Sequence, residues 1–293
     1  MIALSAGESS LVLAPEAGGA ILGWRIGRDP LLRRADPTAM LGARARGMGA
    51  FPLVPFSNRI SGGGFDFAGR HYPIARADPA FPTPIHGLGW VRRWDPIAVS
   101  GWAARLRLEH PARAADLALW PFAFTAELAF DLSADALRIG MRLVNRHAGP
   151  APAGLGLHPY FPRLPGSRLQ FRATGTWRAT PERLPIALGP VPPAWDHAAG
   201  LPVGAAALDD VFAGWDGTAE IGLGARVVTL TASAIFRHLV VFTPPGADFF
   251  CVEPVSHATD AVNRPEPASV TGLAVLVPGA ALEGELVLRV AAG

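Results

Sequence analysis

Hydrophobic and polar residues alternate along much of the chain with a period of two. Leucines alternate with charged residues in the stretch 105–109, and the stretches 137–143 and 282–290 follow the same pattern. Because successive side chains of a strand point to opposite faces, this pattern predicts half-buried antiparallel strands. The run 239–242 is apolar throughout, which predicts a strand that is buried on both faces.

Turn-forming residues interrupt these segments at short intervals. The chain contains 33 Gly and 29 Pro, spread along its length without a repeat. No long segment shows the 3.6-residue period of an amphipathic helix. Many short strands with frequent turns predict an all-β fold, a sandwich with few short helices. The composition shows no sharp break, so we expect residues 1–293 to form a single domain.

The composition excludes several classes of function. Hydrophobic residues make up 50% of the chain and charged residues only 17%, which favours a folded protein with a sizeable core. All 26 basic residues are Arg, so Schiff-base, P-loop and general-base lysines are excluded. The formal net charge is only +2, and the Arg residues form no more than small clusters at 33–34, Arg44/Arg46 and 92–93. This distribution favours a solvated surface over a nucleic-acid interface.

Cysteine content and hydropathy bear on disulfide bonds, metal sites and cellular location. Cys251 is the only cysteine, which excludes an internal disulfide and a CxxC metal or redox site. The N-terminus has no basic region followed by an apolar stretch, which disfavours a signal peptide. The longest uncharged run, 267–282, is too short and too rich in Pro and Gly to span a bilayer. We therefore expect a cytoplasmic protein without a membrane partner.

The stretch 154–161 carries the first candidate for chemistry. Two glycines precede His158 and leave room for a close approach of backbone or ligand, and Pro159 keeps His158 out of the helical region. Tyr160 offers a flat apolar ring with one hydroxyl, a surface on which a sugar can stack. An imidazole beside such a surface can act as an acid near neutral pH. The alternative is a core histidine satisfied by a carbonyl group.

A second candidate is Glu253, at the end of the apolar stretch 249–255. In a strand, Phe249, Cys251 and Glu253 share one face. A carboxylate there must be paired or hydrogen-bonded, or else its pKa rises. A carboxyl group tuned in this way suits a general base near pH 7. We interpret Cys251 as a small buried apolar residue, because no motif supports a Cys–His nucleophile.

Three more segments carry polar groups where ordinary turn residues would suffice. Arg59 follows an apolar, proline-bounded segment and either meets a carboxylate or hydroxyl groups, or extends from an edge strand into solvent. His86 lies in a glycine-rich loop and faces either a ligand or its own turn. Asp209 and Asp210 are adjacent, so at most one of them should face a pocket. The alternative for either acid is a surface position.

Known catalytic and metal-binding motifs are missing from the sequence. It contains no HExxH, GxSxG or Walker A motif. The eight histidines are dispersed and reveal no ligand set by spacing. A facial metal site of His86, His158 and Glu253, as in cupins, has little motif support.

Taken together and in order, five segments resemble the aldose 1-epimerase (galactose mutarotase) family. They are FPLVPFSNRI at 51–60, HGLGW at 86–90, GLGLHPYF at 154–161, LDDVF at 208–212 and CVEPVSHATDAVN at 251–263. The combination is specific, although no single segment is. The resemblance implies a large antiparallel β-supersandwich with a sugar-binding cleft on a concave face, and it implies no metal or other cofactor.

The resemblance also implies a role for each candidate residue. His158 would be the general acid and Glu253 the general base. The predicted monosaccharide contacts are Asn58, Arg59, His86, Tyr160 and Asp209. We expect the acid and the base to face each other across a gap the size of a pyranose, with the ring oxygen near His158 and the anomeric hydroxyl near Glu253.

The resemblance thus favours an aldose 1-epimerase that acts on a free monosaccharide, as a monomer or homodimer. The identity of the sugar stays open, because 242–250 replaces a Gln-containing segment of the long galactose mutarotases. One alternative is a sugar-binding or sensing protein without turnover. Another is a hexose-6-phosphate mutarotase, which would need an arginine cluster beside the cleft. The last alternative is a metal-dependent, cupin-like isomerase.

Overall fold

The computed structural model describes residues 1–36, 47–114 and 116–293. Strands dominate these residues, and their one α-helix is a single turn, Ala268–Thr271. Four 3₁₀ turns lie at Ser61–Gly63, Gly89–Val91, Pro193–Trp195 and Ala261–Asn263. The predicted all-β fold with few short helices is confirmed. The predicted surface cluster Arg44/Arg46 lies outside the described residues.

The described strands number 24. In chain order they are β1 Ile2–Ala6, β2 Ser9–Ala14, β3 Ala20–Ile26, β4 Asp29–Leu32, β5 Ala50–Leu53, β6 Gly64–Phe67, β7 Arg70–Pro73, β8 Asp95–Val99, β9 Ala103–His110, β10 Phe124–Leu132, β11 Ala136–Asn145, β12 Ala151–Ala153, β13 Gly156–Pro162, β14 Arg168–Phe171, β15 Gly175–Ala179, β16 Pro185–Gly189, β17 Leu201–Pro202, β18 Asp209–Ala213, β19 Thr218–Leu223, β20 Arg226–Ala232, β21 His238–Phe242, β22 Phe249–Val255, β23 Ala274–Leu276 and β24 Ala281–Ala292.

Two large antiparallel sheets contain most of these strands. Sheet A has 11 strands in the order β1-β2-β3-β5-β13-β22-β21-β18-β15-β16, with β4 added beside β3. Sheet B has nine strands in the order β17-β14-β19-β20-β24-β11-β10-β9-β8. The described residues also form two small two-stranded sheets, β12-β23 and β6-β7. The segments 51–53, 156–161, 209–212 and 251–255, which lie far apart in the chain, thus become neighbours within sheet A.

The strands predicted from the alternating pattern are all present. The stretches 105–109, 137–143 and 282–290 lie in β9, β11 and β24, which are joined through β10 in sheet B. Burial in β10 alternates residue by residue along its whole length. The apolar run 239–242 forms β21, whose residues are buried on both faces except at its last position. The period-two pattern thus predicts these strands correctly.

The main hydrophobic core lies between the two sheets. Sheet B contributes residues such as Leu106 and Phe130, and sheet A contributes the inward face of β21 and β22, including Leu239 and Phe250. Full burial of a large apolar side chain stabilises the fold by about 1.5–3 kcal/mol. This core packs against one face of sheet A and so supports the strands whose side chains lie on the opposite face.

A second, smaller apolar cluster lies on that other face of sheet A. It includes Phe51, Tyr160, Trp177 and Cys251 from the strands, and Trp90 from the loop after β7. All of the candidate site residues lie on or beside this face. Among the described residues, no helix is long and apolar enough to cross a membrane.

Candidate functional site

The two central candidates, His158 and Glu253, lie on neighbouring antiparallel strands. Tyr160 on β13 pairs with Cys251 on β22, and the same register places His158 across from Glu253. The imidazole Nε2 is 3.3 Å from Oε1 of the carboxyl group. The sequence analysis brings these two groups together correctly, but the expected pyranose-sized gap between them is wrong. In an aldose, the anomeric and ring oxygens are both bonded to C1, so an acid and a base that lie close together can act on them.

The imidazole of His158 packs against two aromatic rings. Its centroid lies 4.6 Å from that of Phe51 and 4.6 Å from that of Tyr160. The Phe51 and Tyr160 rings are themselves 6.1 Å apart, so they lie at adjacent positions around the imidazole and not on opposite faces of it. The Arg33 guanidinium lies 4.0 Å from the centroid of Tyr160. His158 and Arg33 thus both pack against the Tyr160 ring. The predicted contact between Tyr160 and a sugar stays a prediction.

Glu253 is the more deeply buried of the pair, with a side chain only 3% exposed. Burial raises the pKa of Glu253 well above its usual value, the nearby Asp209 carboxylate raises it further, and the Arg59 guanidinium opposes the rise. Loss of hydration disfavours the charged form, which makes the carboxylate a stronger base than one in water. The predicted tuned carboxyl group is therefore present.

His86 and Asn58 meet at the end of the loop that follows β5. The Asn58 backbone N–H donates to Nδ1 of His86 at 3.2 Å. Since Nδ1 accepts this bond, Nε2 carries the proton in the neutral ring. The ring centroids of His86 and His158 are 5.4 Å apart. His86 therefore lies beside the central pair, and its Nδ1 also satisfies a backbone N–H of its neighbouring loop.

Arg59 is half-buried at the same end of the sheet. Its Nη1 donates to Oδ1 of Asn58 at 2.9 Å, and that oxygen also accepts the Arg59 backbone N–H. Asn58 has a left-handed backbone conformation with φ of 57°, which turns the chain so that this pairing forms. The alternative in which Arg59 extends from an edge strand into solvent is wrong. Its charge instead acts on Glu253.

Both acids of the 209–210 pair face one recess, which contradicts the expectation that at most one would. The Arg183 guanidinium lies 3.4 Å from Oδ2 of Asp209 and 3.8 Å from Oδ2 of Asp210. Asp210 turns its carboxylate back to accept the Asp209 backbone N–H at 3.0 Å, because the strand only begins here. Burial raises the pKa of Asp210.

This recess, which we call the Asp209 recess, is lined by Asn58, Arg59, Trp177, Arg183, Asp209 and Asp210 among others. Its free volume is about 10 Å³, room for roughly one water molecule. Arg183 was missed by the sequence analysis, because it lies in the turn before β16 and outside every quoted segment. Its φ of 66° is not visible in the sequence.

His257 was also missed, although it lies within the quoted segment 251–263. Its Nε2 accepts the Ser57 backbone N–H at 3.1 Å, and its Nδ1 donates to the Ala258 carbonyl at 2.7 Å. Burial lowers its pKa, which is consistent with a neutral ring. A Cβ at Gly154 would lie 2.2 Å from Cδ2 of His257. The His257 ring therefore fits here only because residue 154 has no side chain. His257 thereby holds the loop that carries Asn58 and Arg59.

Three groups that can ligate a metal ion converge on the central pair. One ligand atom each from His158, Cys251 and Glu253 lies within 4.8 Å of the other two. The facial set of His86, His158 and Glu253 considered from the sequence is not the group that converges in the described residues. Cys251 takes the third position, because it lies on the same face of β22 as Glu253.

Comparisons with known proteins identify the family of the chain. The sequence profile of the aldose 1-epimerase family matches residues 1–289. The uncharacterized protein YphB of Escherichia coli K12 is 31% identical over 309 aligned positions, which span 98% of this chain and 97% of that protein.

Solved structures show the same fold. A candidate aldose 1-epimerase from Escherichia coli K12 is 30% identical, covers 99% of this chain and 98% of its own, and superposes with a TM-score of 0.89. A galactose mutarotase-like protein from Clostridium acetobutylicum, 18% identical, gives a TM-score of 0.88 over 99% of this chain and 95% of its own. The fold is therefore galactose mutarotase-like. The chain belongs to the aldose 1-epimerase family, a family of carbohydrate epimerases.

Proposed function

We propose that the protein is a mutarotase that interconverts the α and β anomers of a free aldose. The observation that carries the proposal is the contact between His158 and Glu253, which are 3.3 Å apart and have side chains only 10% and 3% exposed. A sugar bound with C1 above this contact has its anomeric hydroxyl and its ring oxygen each within reach of one group. Membership of the aldose 1-epimerase family supports the same reaction.

The reaction requires only proton transfers. The Glu253 carboxylate takes the proton of the anomeric hydroxyl. The electron pair of that O–H bond then forms the C1=O bond. The bond between C1 and the ring oxygen breaks, and His158 in its protonated form gives its proton to that oxygen. After rotation about C1–C2, the ring oxygen attacks the other face of the aldehyde while both proton transfers reverse. Each positioned acid or base contributes about 10²–10⁴-fold.

The electrostatics of the site match this cycle. The raised pKa of Glu253 makes its carboxylate an effective base, and the His158 imidazole lies 3.3 Å from that carboxylate. Each half of the reaction moves one proton out of the pair and one into it. The total charge of the pair and sugar therefore does not change, which suits a buried site where a new charge would be costly.

The surrounding polar groups would hold the sugar hydroxyls. In the proposed complex Arg59 and the Nε2–H of His86 donate, and the Asp209 carboxylate accepts. Because the Asp209 recess has room for about one water molecule, a pyranose requires Arg183 to move away from Asp209. The Arg183 side chain is 40% exposed, which leaves it space to do so.

A phosphorylated hexose fits this site less well. The exposed guanidinium beside the recess, Arg183, is engaged by both Asp209 and Asp210. A phosphate at that position would meet two carboxylates at close range, and like charges in a partly buried site repel strongly. We therefore favour a neutral aldose over a hexose-6-phosphate.

The test is polarimetry of freshly dissolved α-D-glucose and α-D-galactose with catalytic amounts of the protein. We expect the approach to rotational equilibrium to accelerate in proportion to protein concentration. Saturable binding of these sugars without acceleration would instead identify a sugar-binding protein on the same fold. Acceleration with glucose 6-phosphate but not with glucose would identify a hexose-6-phosphate mutarotase.

A further inference from the structure

The nitrogen, sulfur and oxygen atoms around the central pair form a compact donor set. Cys251 lies two residues before Glu253 on the same face of β22, and it pairs with Tyr160, which stacks on His158. One ligand atom from each of His158, Cys251 and Glu253 lies within 4.8 Å of the others, and the His158–Glu253 distance is 3.3 Å. The described proton-transfer reaction has no use for the thiol.

The chemistry of this set selects one class of ligand. Zn²⁺ binds imidazole, thiolate and carboxylate at about 2.0–2.3 Å in tetrahedral sites, so small side-chain shifts bring all three donors into range. A thiolate favours Zn²⁺ and the softer Cd²⁺, whereas Mg²⁺ and Ca²⁺ favour oxygen ligands alone. Three protein ligands leave a fourth position for water.

We propose that His158, Cys251 and Glu253 form a binding site for Zn²⁺ or Cd²⁺ in which the metal and the sugar exclude each other. The ion occupies both proposed proton-transfer groups, so its binding inhibits the enzyme. The inhibitory effect rests on the proposed mutarotase function, whereas the binding of the ion does not.

The binding test uses the full chain and Cd²⁺. Cys251 is the only cysteine of the sequence, so an ultraviolet cadmium–thiolate charge-transfer band reports this site alone. We expect a band that saturates at one equivalent of Cd²⁺, is absent in Cys251→Ser and is displaced by Zn²⁺. Loss of even an outer-shell partner costs about 10- to 100-fold in metal affinity, so Glu253→Gln should weaken Cd²⁺ binding by at least as much.

A matched control addresses adventitious metal binding at the surface. His71 and Asp66 form an exposed pair, with Nδ1 2.8 Å from Oδ1, and this pair is a plausible weak zinc site. His71→Ala should leave the charge-transfer band and the Cd²⁺ affinity unchanged. Absence of the band in the wild-type protein, or an unchanged band in Glu253→Gln, would overturn the proposal. If Cys251→Ser does not fold, as judged by circular dichroism, Cys251→Ala takes its place.

The activity test separates this inference from the proposed function. We expect Zn²⁺ to inhibit mutarotation by the wild-type protein, EDTA to reverse the inhibition, and Mg²⁺ to have no effect. The mutarotation rate that Cys251→Ser retains should be less sensitive to Zn²⁺ than the wild-type rate by more than about tenfold. A cadmium–thiolate band in a protein without mutarotase activity refutes the proposed function and retains the metal site. Mutarotase activity without the band supports the proposed function and refutes the metal site.

Discussion

His158 and Glu253 lie opposite each other on adjacent antiparallel strands, and their side chains are 3.3 Å apart. Ninety-four residues of chain separate them, yet both belong to the rigid centre of sheet A. Strand pairing fixes the distance between their backbones, and Phe51 and Tyr160 fix the plane of the imidazole. Preorganisation of this kind lets an acid and a base act on two oxygens of one carbon without rearrangement.

The raised pKa of Glu253 predicts a pH-dependent stability. Below its ordinary pKa of 4.5, the folded and unfolded chains both hold the proton. Above 4.5, the unfolded chain ionises while the folded chain retains the proton, so the free energy of unfolding falls as pH rises toward the folded pKa. This contribution amounts to at most about 1.4 kcal/mol per pH unit.

Urea unfolding of the wild-type protein and Glu253→Gln measures this contribution. The free energy of unfolding of the variant, relative to the wild type, should increase as pH rises from 4.5 to neutrality. Glu220→Gln, which replaces an exposed carboxylate on β19, should show no such trend. A difference between Glu253→Gln and wild type that does not vary with pH would contradict the raised pKa.

Asp209→Asn tests the proposed contact between Asp209 and the sugar. Hydrogen bonds to charged groups contribute about 1.5–3 kcal/mol, so we expect KM to rise roughly ten- to hundredfold and kcat to change less. Because Asp209 raises the pKa of Glu253, the acidic limb of the kcat profile should also move to lower pH. Steady-state polarimetry across a pH series measures both effects. Asp66→Asn, at an exposed position, is the control, and a wild-type KM for Asp209→Asn would refute the contact.

Gly154→Ala tests how the Asn58–Arg59 loop is held. The new Cβ would lie 2.2 Å from Cδ2 of His257, which forces the ring away from the Ser57 N–H. An unsatisfied buried donor costs about 1–3 kcal/mol, so we expect a comparable loss in the free energy of unfolding and a raised KM. Gly101→Ala, where nothing lies within 4 Å, should leave both unchanged. Equal stability of the two variants would show that His257 does not hold the loop.

The fold was predictable because its signal is local. Alternation of apolar and charged residues places β9, β11 and β24, and a continuous apolar run places β21. The family resemblance carried by five ordered segments then implies the supersandwich, and it places His158 and Glu253 in one site. The order of strands within sheet A depends on pairing between segments that are distant in the chain. Only the family resemblance allowed it to be expected from the sequence.

The details of the site depend on contacts that no single segment contains. Arg183 meets Asp209 and Asp210 only after β15, β16 and β18 associate. The ring of Tyr160 packs against His158, two residues earlier on β13, and also against Arg33, which follows β4 and is distant in the chain. The pyranose-sized gap was wrong because strand register, not ligand size, fixes the distance between acid and base.

The central claim is that His158 and Glu253 exchange protons with a sugar. Its most direct test is the polarimetric rate of mutarotation of α-D-glucose or α-D-galactose with His158→Asn and Glu253→Gln, beside the control variants His71→Asn and Glu220→Gln. We predict that each site variant loses about a hundredfold or more of the wild-type rate while its circular dichroism spectrum is unchanged, and that both controls retain the rate. A wild-type rate in either His158→Asn or Glu253→Gln would contradict the claim.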